Sequence, residues 1–535
     1  MKKFLFFIIS SIFIFFWACK EKPPKIKPSN YLSRSFKDSL FYDYNALSQS
    51  LILKMRIERN LSHFSNIKLL DSIYKTRNYE PFLLQNFLEN HSLDSLVKNL
   101  KKSVNHGLNP EFYKVAEIET VLARFNNHRI QRLVPAYISL ADIELLSLNS
   151  IITYSKDLEF GRLNPNQIFQ SQFNIKFKLP DSSILKGILK SNNLISYLNS
   201  IQPKSLVYNS LSRKLEELII KNPNNWSGKS PYNDSITKLR VNLERLRWKS
   251  TDTSGNYLLV NIPEFRLYAI AQGKPLWSMK VCVGQRRKDD YASQMAIFHQ
   301  THNIDDRPEN HQTPILFSNI NSVQVNPKWS VPKSIIQNEI FFKMIQNPKY
   351  LEQNKMKLYK GNKLVKRPDT IHWNRIKRDQ IPFNIKQDAG DFNSLGKLKF
   401  NFVNPYSVYL HDTPNKIVFN KKDRAISHGC VRVENPLKLA NYLLQGNGKN
   451  AMDLVRIKIG LKPGDDSSEH LQKLYEKEQI LLKNNQHTFE PSSVVLKIKM
   501  PLYIQYYTSG LDENGQIFYR EDIYQMDNVI LNKLQ

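Results

Sequence analysis

The chain runs to 535 residues and carries 77 lysines and arginines against 48 acidic residues, a formal charge of +29. So large an excess fits an anionic partner (nucleic acid, a membrane surface or an acidic polymer) or a lysine- and asparagine-rich coding bias. No zinc-finger spacing, RNP-like aromatic motif or Walker loop is present, so nucleic acid is not expected and anionic lipid or an envelope polymer is favoured.

Lys2 and Lys3 precede an apolar run from Phe4 to Ala18, broken only by Ser10 and Ser11 and closed by Cys19. A charged n-region followed by an apolar segment too short for a comfortable membrane span reads as an export signal. With the small Ala18 before it, Cys19 fits the lipidated first residue of a mature chain. Residues 1–19 are therefore expected to be a lipoprotein-type signal peptide. Phe16 and Trp17 depart from the usual residues before such a cysteine, and an uncleaved short anchor is the other reading. Both place the protein outside the cytoplasm, as a membrane-anchored lipoprotein facing the periplasm. Residues 20–34 lack apolar periodicity and contain three prolines, which predicts a tether.

From 35 to 250 the pattern predicts a mostly helical scaffold. Leu140, Ile143, Leu146, Ile151, Tyr154 and Leu158 approximate one helical face, which stops near Gly161 and Pro165. No acid pair or ligand cluster stands out there. From 255 to 535 the chain turns β-rich. Tyr257 to Ile262, Phe265 to Ile270 and Pro275 to Val283 read as strands, with a turn over Ala271–Lys274. Residues 285–312 form a charged insert holding His299, His302 and His311. Without a regular i, i+4 pattern or convincing acidic partners, no metal is expected there. Residues 337–392 read as a helical, lysine-rich insertion. In 492–535, Ser492 to Tyr507 and Gln516 to Ile523 flank a hairpin turn at Asp512–Gly515 and read as closing strands.

The chemistry-bearing stretch is Ala425-Ile-Ser-His-Gly-Cys-Val-Arg-Val433, with His411 upstream in Tyr409-Leu-His-Asp-Thr-Pro414. Gly429 lets the backbone bend sharply just before Cys430. A free thiol, with a pKa of about 8.5, is mostly protonated at neutral pH, and a neighbouring imidazole shifts it towards the nucleophilic thiolate. Two adjacent strands of one sheet would bring His411 and Cys430 together. Cys282 follows Ser278 and Lys280 on one strand face and reads as incidental; a Cys282–Cys430 disulfide remains open.

His411, residues 412–426, Ser427-His-Gly-Cys430 and Arg432 together resemble the signature of L,D-transpeptidases of the YkuD superfamily. The longer wording, "NPYSVYLHDTP" followed by "RAISHGCVRVENPLKLA", is similar to their large YcbB-like periplasmic branch. "HGLNPEFY", "DLEFGRLNP" and "VNLERLRW" in the helical half, and "LLVNIPEFRLYAIAQGKP" and "NPKWSVPKSI" further on, resemble the same branch. The resemblance implies an α+β architecture, a helical N-terminal scaffold followed by a mostly-β catalytic domain with a helical lid at 337–392. The chain departs from the family twice. The three-helix wall-binding module expected before "VNLERLRW" is replaced by a short polar stretch at 222–236, and Gly284 is separated from Thr313 by the histidine-bearing insert.

What the resemblance implies for the site is concrete. Cys430 would be the nucleophile and His411 the base, its tautomer fixed by a backbone carbonyl near Asp412 or by the Asp412 carboxylate. Backbone N–H groups around Gly429 and Cys430 would stabilise the oxyanion, with Ser427 and His428 shaping the loop. Arg432 would bind a substrate carboxylate or hold the loop. Tyr409 would line the pocket, and Trp373 would touch substrate from the lid or lie in the core of a small subdomain. The partners implied are peptidoglycan stem peptides and, through the lipid on Cys19, a membrane. No cofactor is implied, and carbapenems are expected to acylate Cys430. The same site could serve a carboxypeptidase with water as acceptor, or attachment of a protein to the wall. A non-catalytic wall-binding lipoprotein is the rival of another class.

Overall fold

The computed structural model describes residues 28–59, 64–88, 92–169, 173–221, 235–248, 255–484 and 489–534. Cys19 and the expected signal peptide lie outside the described residues, as does most of the short stretch at 222–236. Two compact units emerge. One holds the described part of Met1–Lys102 with Pro110–Ser155 and Ser182–Ser200; the other holds Ser103–Asn109, Lys156–Asp181 and Ile201–Gln535.

The first unit is helical. Residues 133–155 of the helix Leu133–Phe160 run through its core. The expected apolar face is buried, from Leu140 to Tyr154, but so are Glu144, Ser147 and Ser150 on the other sides. The helix is long and apolar enough to cross a membrane, yet 83% of its apolar window is buried within the protein. A helix buried all round must satisfy its polar groups internally. Glu144 does so by accepting the N–H groups of Phe82, Leu83 and Leu84 and the Tyr74 hydroxyl, capping the helix Leu83–Phe87. The expectation of a tether over 20–34 fails from Pro28 onwards, where the described residues begin. A helix spans Pro28–Phe36, Leu32 is buried, and the Phe36 ring stacks on Phe125 at 4.6 Å.

The second unit is organised by a sheet. In chain order its strands are β1 (Phe173–Asn174), β2 (Tyr257–Asn261), β3 (Arg266–Ala271), β4 (Lys274–Gly284), β5 (Ile315–Val325), β6 (Trp329–Ser330), β7 (Met356–Lys360), β8 (Lys363–Leu364), β9 (Phe383–Gln387), β10 (Leu398–Phe402), β11 (Leu410–His411), β12 (Ala425–Ser427), β13 (Val431–Val433), β14 (Ser492–Gln505), β15 (Ser509–Leu511) and β16 (Ile517–Tyr519). The main sheet runs β1-β5-β10-β11-β13-β4-β3-β2-β14, and β14 also pairs with β5, so the strands return on themselves. β12 adds to β4. The tail contributes differently from expectation. β14 completes the main sheet, β15 and β16 form their own hairpin, and Met526–Leu534 is a helix that buries Ile530, Leu531 and Leu534 in the sheet's core.

Residues 337–392 were expected to be helical and are mixed. α- and π-helical turns reach Gln353 and short 3₁₀ turns recur between Pro368 and Gln380, while β7, β8 and β9 join β6 in a four-stranded sheet with its own core. The division at 250 is also not a boundary between compact units. β1 pairs with β5, and Val241 from the helix Ser235–Arg247 lies in the main sheet's core.

Three phrases of the helical half meet in a single buried knot of the second unit. Arg247 is fully buried; it pairs with Glu244 at 2.5 Å and donates to the His106 carbonyl at 2.6 Å and to the Tyr208 hydroxyl. Glu244 also accepts from the Leu163 N–H and the Trp248 indole. Gly161, at φ +84°, is the residue that lets this happen, because a Cβ there would stand 2.7 Å from Trp248 and 2.9 Å from Glu244.

His106 belongs to this knot, its Nδ1 3.0 Å from the Tyr208 hydroxyl. Burial, then the Arg247 charge, push its pKa down to about 4. Unfolded, it would titrate near about 6.5, so acid protonates the unfolded chain first. Stability from neutral His106 is therefore complete above about 6.5 and is lost as pH falls towards about 4, by at most about 3 kcal/mol. Asp522, raised to about 6 by burial and the Asp527 charge, titrates in the same range with the opposite sign. Urea midpoints at pH 7.5 and 4.5 for wild type and His106→Gln isolate the histidine: the wild type should lose more stability on acidification. Equal losses would remove His106 from the balance.

Candidate active site

Cross-strand register assembles the site. Gln324 of β5 stands opposite Lys399 of β10, Lys399 opposite His411 of β11, His411 opposite Arg432 of β13, and Arg432 opposite Cys282 of β4. Side chains alternate between the faces of a strand, so this row shares one face. The row one residue away, Val323, Phe400, Leu410 and Val431, is fully buried in the main core. The polar row is therefore turned away from that core. Tyr409 precedes His411 by two positions and Cys430 precedes Arg432 by two, so both extend the same face.

β11 is only Leu410–His411. His411 is buried, and its Nδ1 bonds to the Asp412 backbone carbonyl. That leaves Nε2 for chemistry. The Asp412 carboxylate is occupied elsewhere, by the N–H groups of Lys397 and Thr413 and by Lys416 at 2.6 Å. The backbone alternative, not the carboxylate, holds the imidazole. Burial, reinforced by the Arg432 charge, lowers the His411 pKa to about 3, so the ring is neutral at pH 7.

Cys430 and Cys282 are both free thiols, so the two are not joined. Cys282 is buried with Val418 and Phe419. Burial raises the Cys430 thiol, opposed by hydrogen bonds from Tyr409 and by the charges of Lys399 and Arg432. Tyr409 bridges the pair: its ring lies 5.6 Å from that of His411, edge to face, and Lys399 Nζ sits 4.1 Å from its centroid. Arg432 makes no hydrogen bond or ion pair among the described residues, and its Nε is buried without a partner. A guanidinium held so is free to take a carboxylate from outside.

The loop carrying Cys430 is closed by Ser427. Its hydroxyl donates to the Cys430 carbonyl at 2.6 Å and accepts the Gly429 N–H at 3.2 Å. The Gly429 N–H is thus spent, which corrects its expected part in the oxyanion site. Gly429, at φ +107°, points its carbonyl to the Thr313 hydroxyl at 2.8 Å. In a trans peptide the Cys430 N–H then points the opposite way, leaving it as the backbone donor. Thr313 also accepts the Gly284 N–H. Gly284 is sterically required, since a Cβ there would come within 1.8 Å of the His311 carbonyl.

Of the two readings of Trp373 the core position holds, and the role of His428 changes. Trp373 is buried in the core of the small subdomain, against Phe341 and Phe383, and cannot be a substrate contact. His428 pairs with Glu339 of that subdomain rather than only shaping its own loop. Lys399 and Thr313 were missed as site residues. The alternation of Leu398, Phe400 and Phe402 places Lys399 on a polar face, but only register sets it beside His411.

Residues 255–458 match the family described as the YkuD L,D-transpeptidase catalytic domain, and residues 68–215 match the family described as a scaffold domain. A protein of Haemophilus influenzae named "Putative L,D-transpeptidase" is 27% identical over 342 residues, covering 64% of this chain. The aligned stretch spans 57% of that relative's length.

Proposed function

This chain belongs to the L,D-transpeptidases of the YkuD superfamily, with a scaffold domain ahead of the catalytic domain, and on that premise we propose that it crosslinks peptidoglycan stem peptides through a thioester on Cys430. The observation that carries the reading is the polar row, with Cys430 at the mouth of β13, His411 on the neighbouring strand and the Nδ1 of His411 tied to the Asp412 carbonyl.

In the proposed reaction the Cys430 sulfur attacks the carbonyl on the L-centre of diaminopimelate in a donor tetrapeptide. The thiol proton passes to His411 Nε2. The Cys430 N–H takes the developing oxyanion. The bond to terminal D-alanine breaks, and its amine leaves with the proton from the imidazolium. An acceptor stem then brings its side-chain amine, His411 removes a proton from it, and the amine displaces sulfur. The product links two third-position residues. Arg432, whose side chain has no hydrogen bond or ion pair among the described residues, suits a stem carboxylate, and Lys399 adds positive charge beside the thiolate. The subdomain at 337–392 acts as a lid over the site. Export with a lipid on Cys19 puts the enzyme beside the wall, and the +29 charge favours that anionic surface.

Product analysis of the full-length chain in detergent with tetrapeptide-stem muropeptides tests this, with a carbapenem incubation alongside. Crosslinked dimers and a carbapenem adduct on Cys430 are expected. Trimmed monomers alone would move the reading to a carboxypeptidase. Neither product nor adduct from a folded, reduced protein would leave a wall-binding lipoprotein. Turnover only with a lysine-bearing envelope protein as acceptor would indicate protein attachment.

A further inference from the structure

Beside the nucleophile loop lies a second cluster that the proposed reaction does not use. His311 ends the insert 285–312, Glu339 comes from a π-helical turn at Ile336–Ile340, and His428 belongs to the Cys430 loop. One nitrogen or oxygen atom from each lies within 4.8 Å of the others. The imidazoles meet edge to face at 4.6 Å, and His428 Nε2 bonds to the Glu339 carboxylate. His311 Nδ1 lies 3.2 Å from the Gln285 side-chain oxygen, a contact that makes Nδ1 the donor and leaves Nε2 its lone pair. The Glu309 carboxylate stands 3.9 Å from that Nε2.

We propose that His311, Glu339 and His428 form a binding site for a divalent transition-metal ion of the zinc class, with Glu309 or water completing it. Two imidazoles and one carboxylate suit a borderline cation; calcium and magnesium prefer oxygen ligands. Bonds of about 2.0–2.1 Å in a tetrahedron put ligand atoms about 3.4 Å apart, so the side chains need close by little more than 1 Å. The backbone is already set, since the His311 carbonyl packs on Gly284 and Thr313, two residues on, donates its hydroxyl to the carbonyl of Gly429, the residue after His428. A π-helical turn, unusual outside functional sites, aims Glu339. The ion would clamp the insert and the subdomain to the nucleophile loop. It would hold structure, not activate water, and it does not depend on which acceptor the enzyme uses. The sequence argued against a metal because the insert shows no regular i, i+4 pattern and no convincing acidic partners; Glu339 arrives from outside the insert. His299 and His302, on and just after the helix Tyr291–Thr301, are not part of the cluster.

The test uses the full-length chain stripped of metal and titrated with zinc chloride, followed by calorimetry and thermal melting. One equivalent per chain and a raised melting temperature are expected. His311→Ala and Glu339→Gln should each weaken binding by at least roughly 100-fold, the upper end of the cost of losing an outer-shell partner. Cys430→Ala and the double variant His299→Ala/His302→Ala should bind as wild type does. Cobalt(II) gives a readout that needs no variant: the tetrahedral visible bands should appear without thiolate charge transfer. A thiolate band, binding lost only in Cys430→Ala, or no stoichiometric zinc would overturn the proposal.

Discussion

Cys430→Ala is expected to abolish both the carbapenem adduct and all muropeptide turnover, with no loss of folding. The other thiol on this face, Cys282, is fully buried with Val418 and Phe419, so removal of the half-buried Cys430 thiol leaves no alternative route. His411→Gln should behave differently. Its sulfur remains and a reactive alkylating probe should still label it, but turnover should fall by about 10²–10⁴-fold, the usual contribution of a positioned proton-transfer group. Intact-protein mass and dimer yield measured on both variants separate the two roles. Residual crosslinking by Cys430→Ala above a heat-inactivated control would place the nucleophile elsewhere. Unchanged turnover in His411→Gln would hand the proton to another group, with Tyr409 the nearest candidate by its hydrogen bonding to Cys430.

The second large effect is on stability. Glu244 and Arg247 are each fully buried and pair at 2.5 Å. Glu244→Ala strands the guanidinium without its counter-charge and orphans the Leu163 N–H and the Trp248 indole. Breaking one side of a buried pair costs about 3–5 kcal/mol. Glu244→Gln keeps one of the two acceptor oxygens and the side-chain volume but not the charge, and should cost less. Urea unfolding monitored by Trp fluorescence should therefore rank wild type above Glu244→Gln above Glu244→Ala. A change under about 1 kcal/mol for Glu244→Ala would mean that water or another carboxylate reaches Arg247. This knot also explains why "HGLNPEFY", "DLEFGRLNP" and "VNLERLRW" read as a set: His106, Gly161, Glu244 and Arg247 meet one another and serve the fold, not the reaction.

Local pattern by itself determined much of this protein. The β-rich run Tyr257–Asn261 defined one strand by composition, and the alternation of Trp277, Met279 and Val281 with Ser278, Lys280 and Cys282 defined another because a period of two is imposed by the pleat. Cys430 and His411 stood out because thiolate chemistry needs that pairing, and Gly429 because the bend before the nucleophile needs a positive φ. What only tertiary structure decided are contacts between residues far apart in the chain. Register placed Lys399 beside His411 and left the Arg432 side chain without a hydrogen bond or ion pair among the described residues. A hydroxyl two positions away took the Gly429 N–H and left that of Cys430. Packing turned Trp373 into a core residue of a small sheet, and the fold carried Glu339 to His311 and His428. None of these follows from spacing along the chain, because spacing sets the face on which a side chain points, while the neighbour it meets there is chosen by the register and packing of the whole sheet.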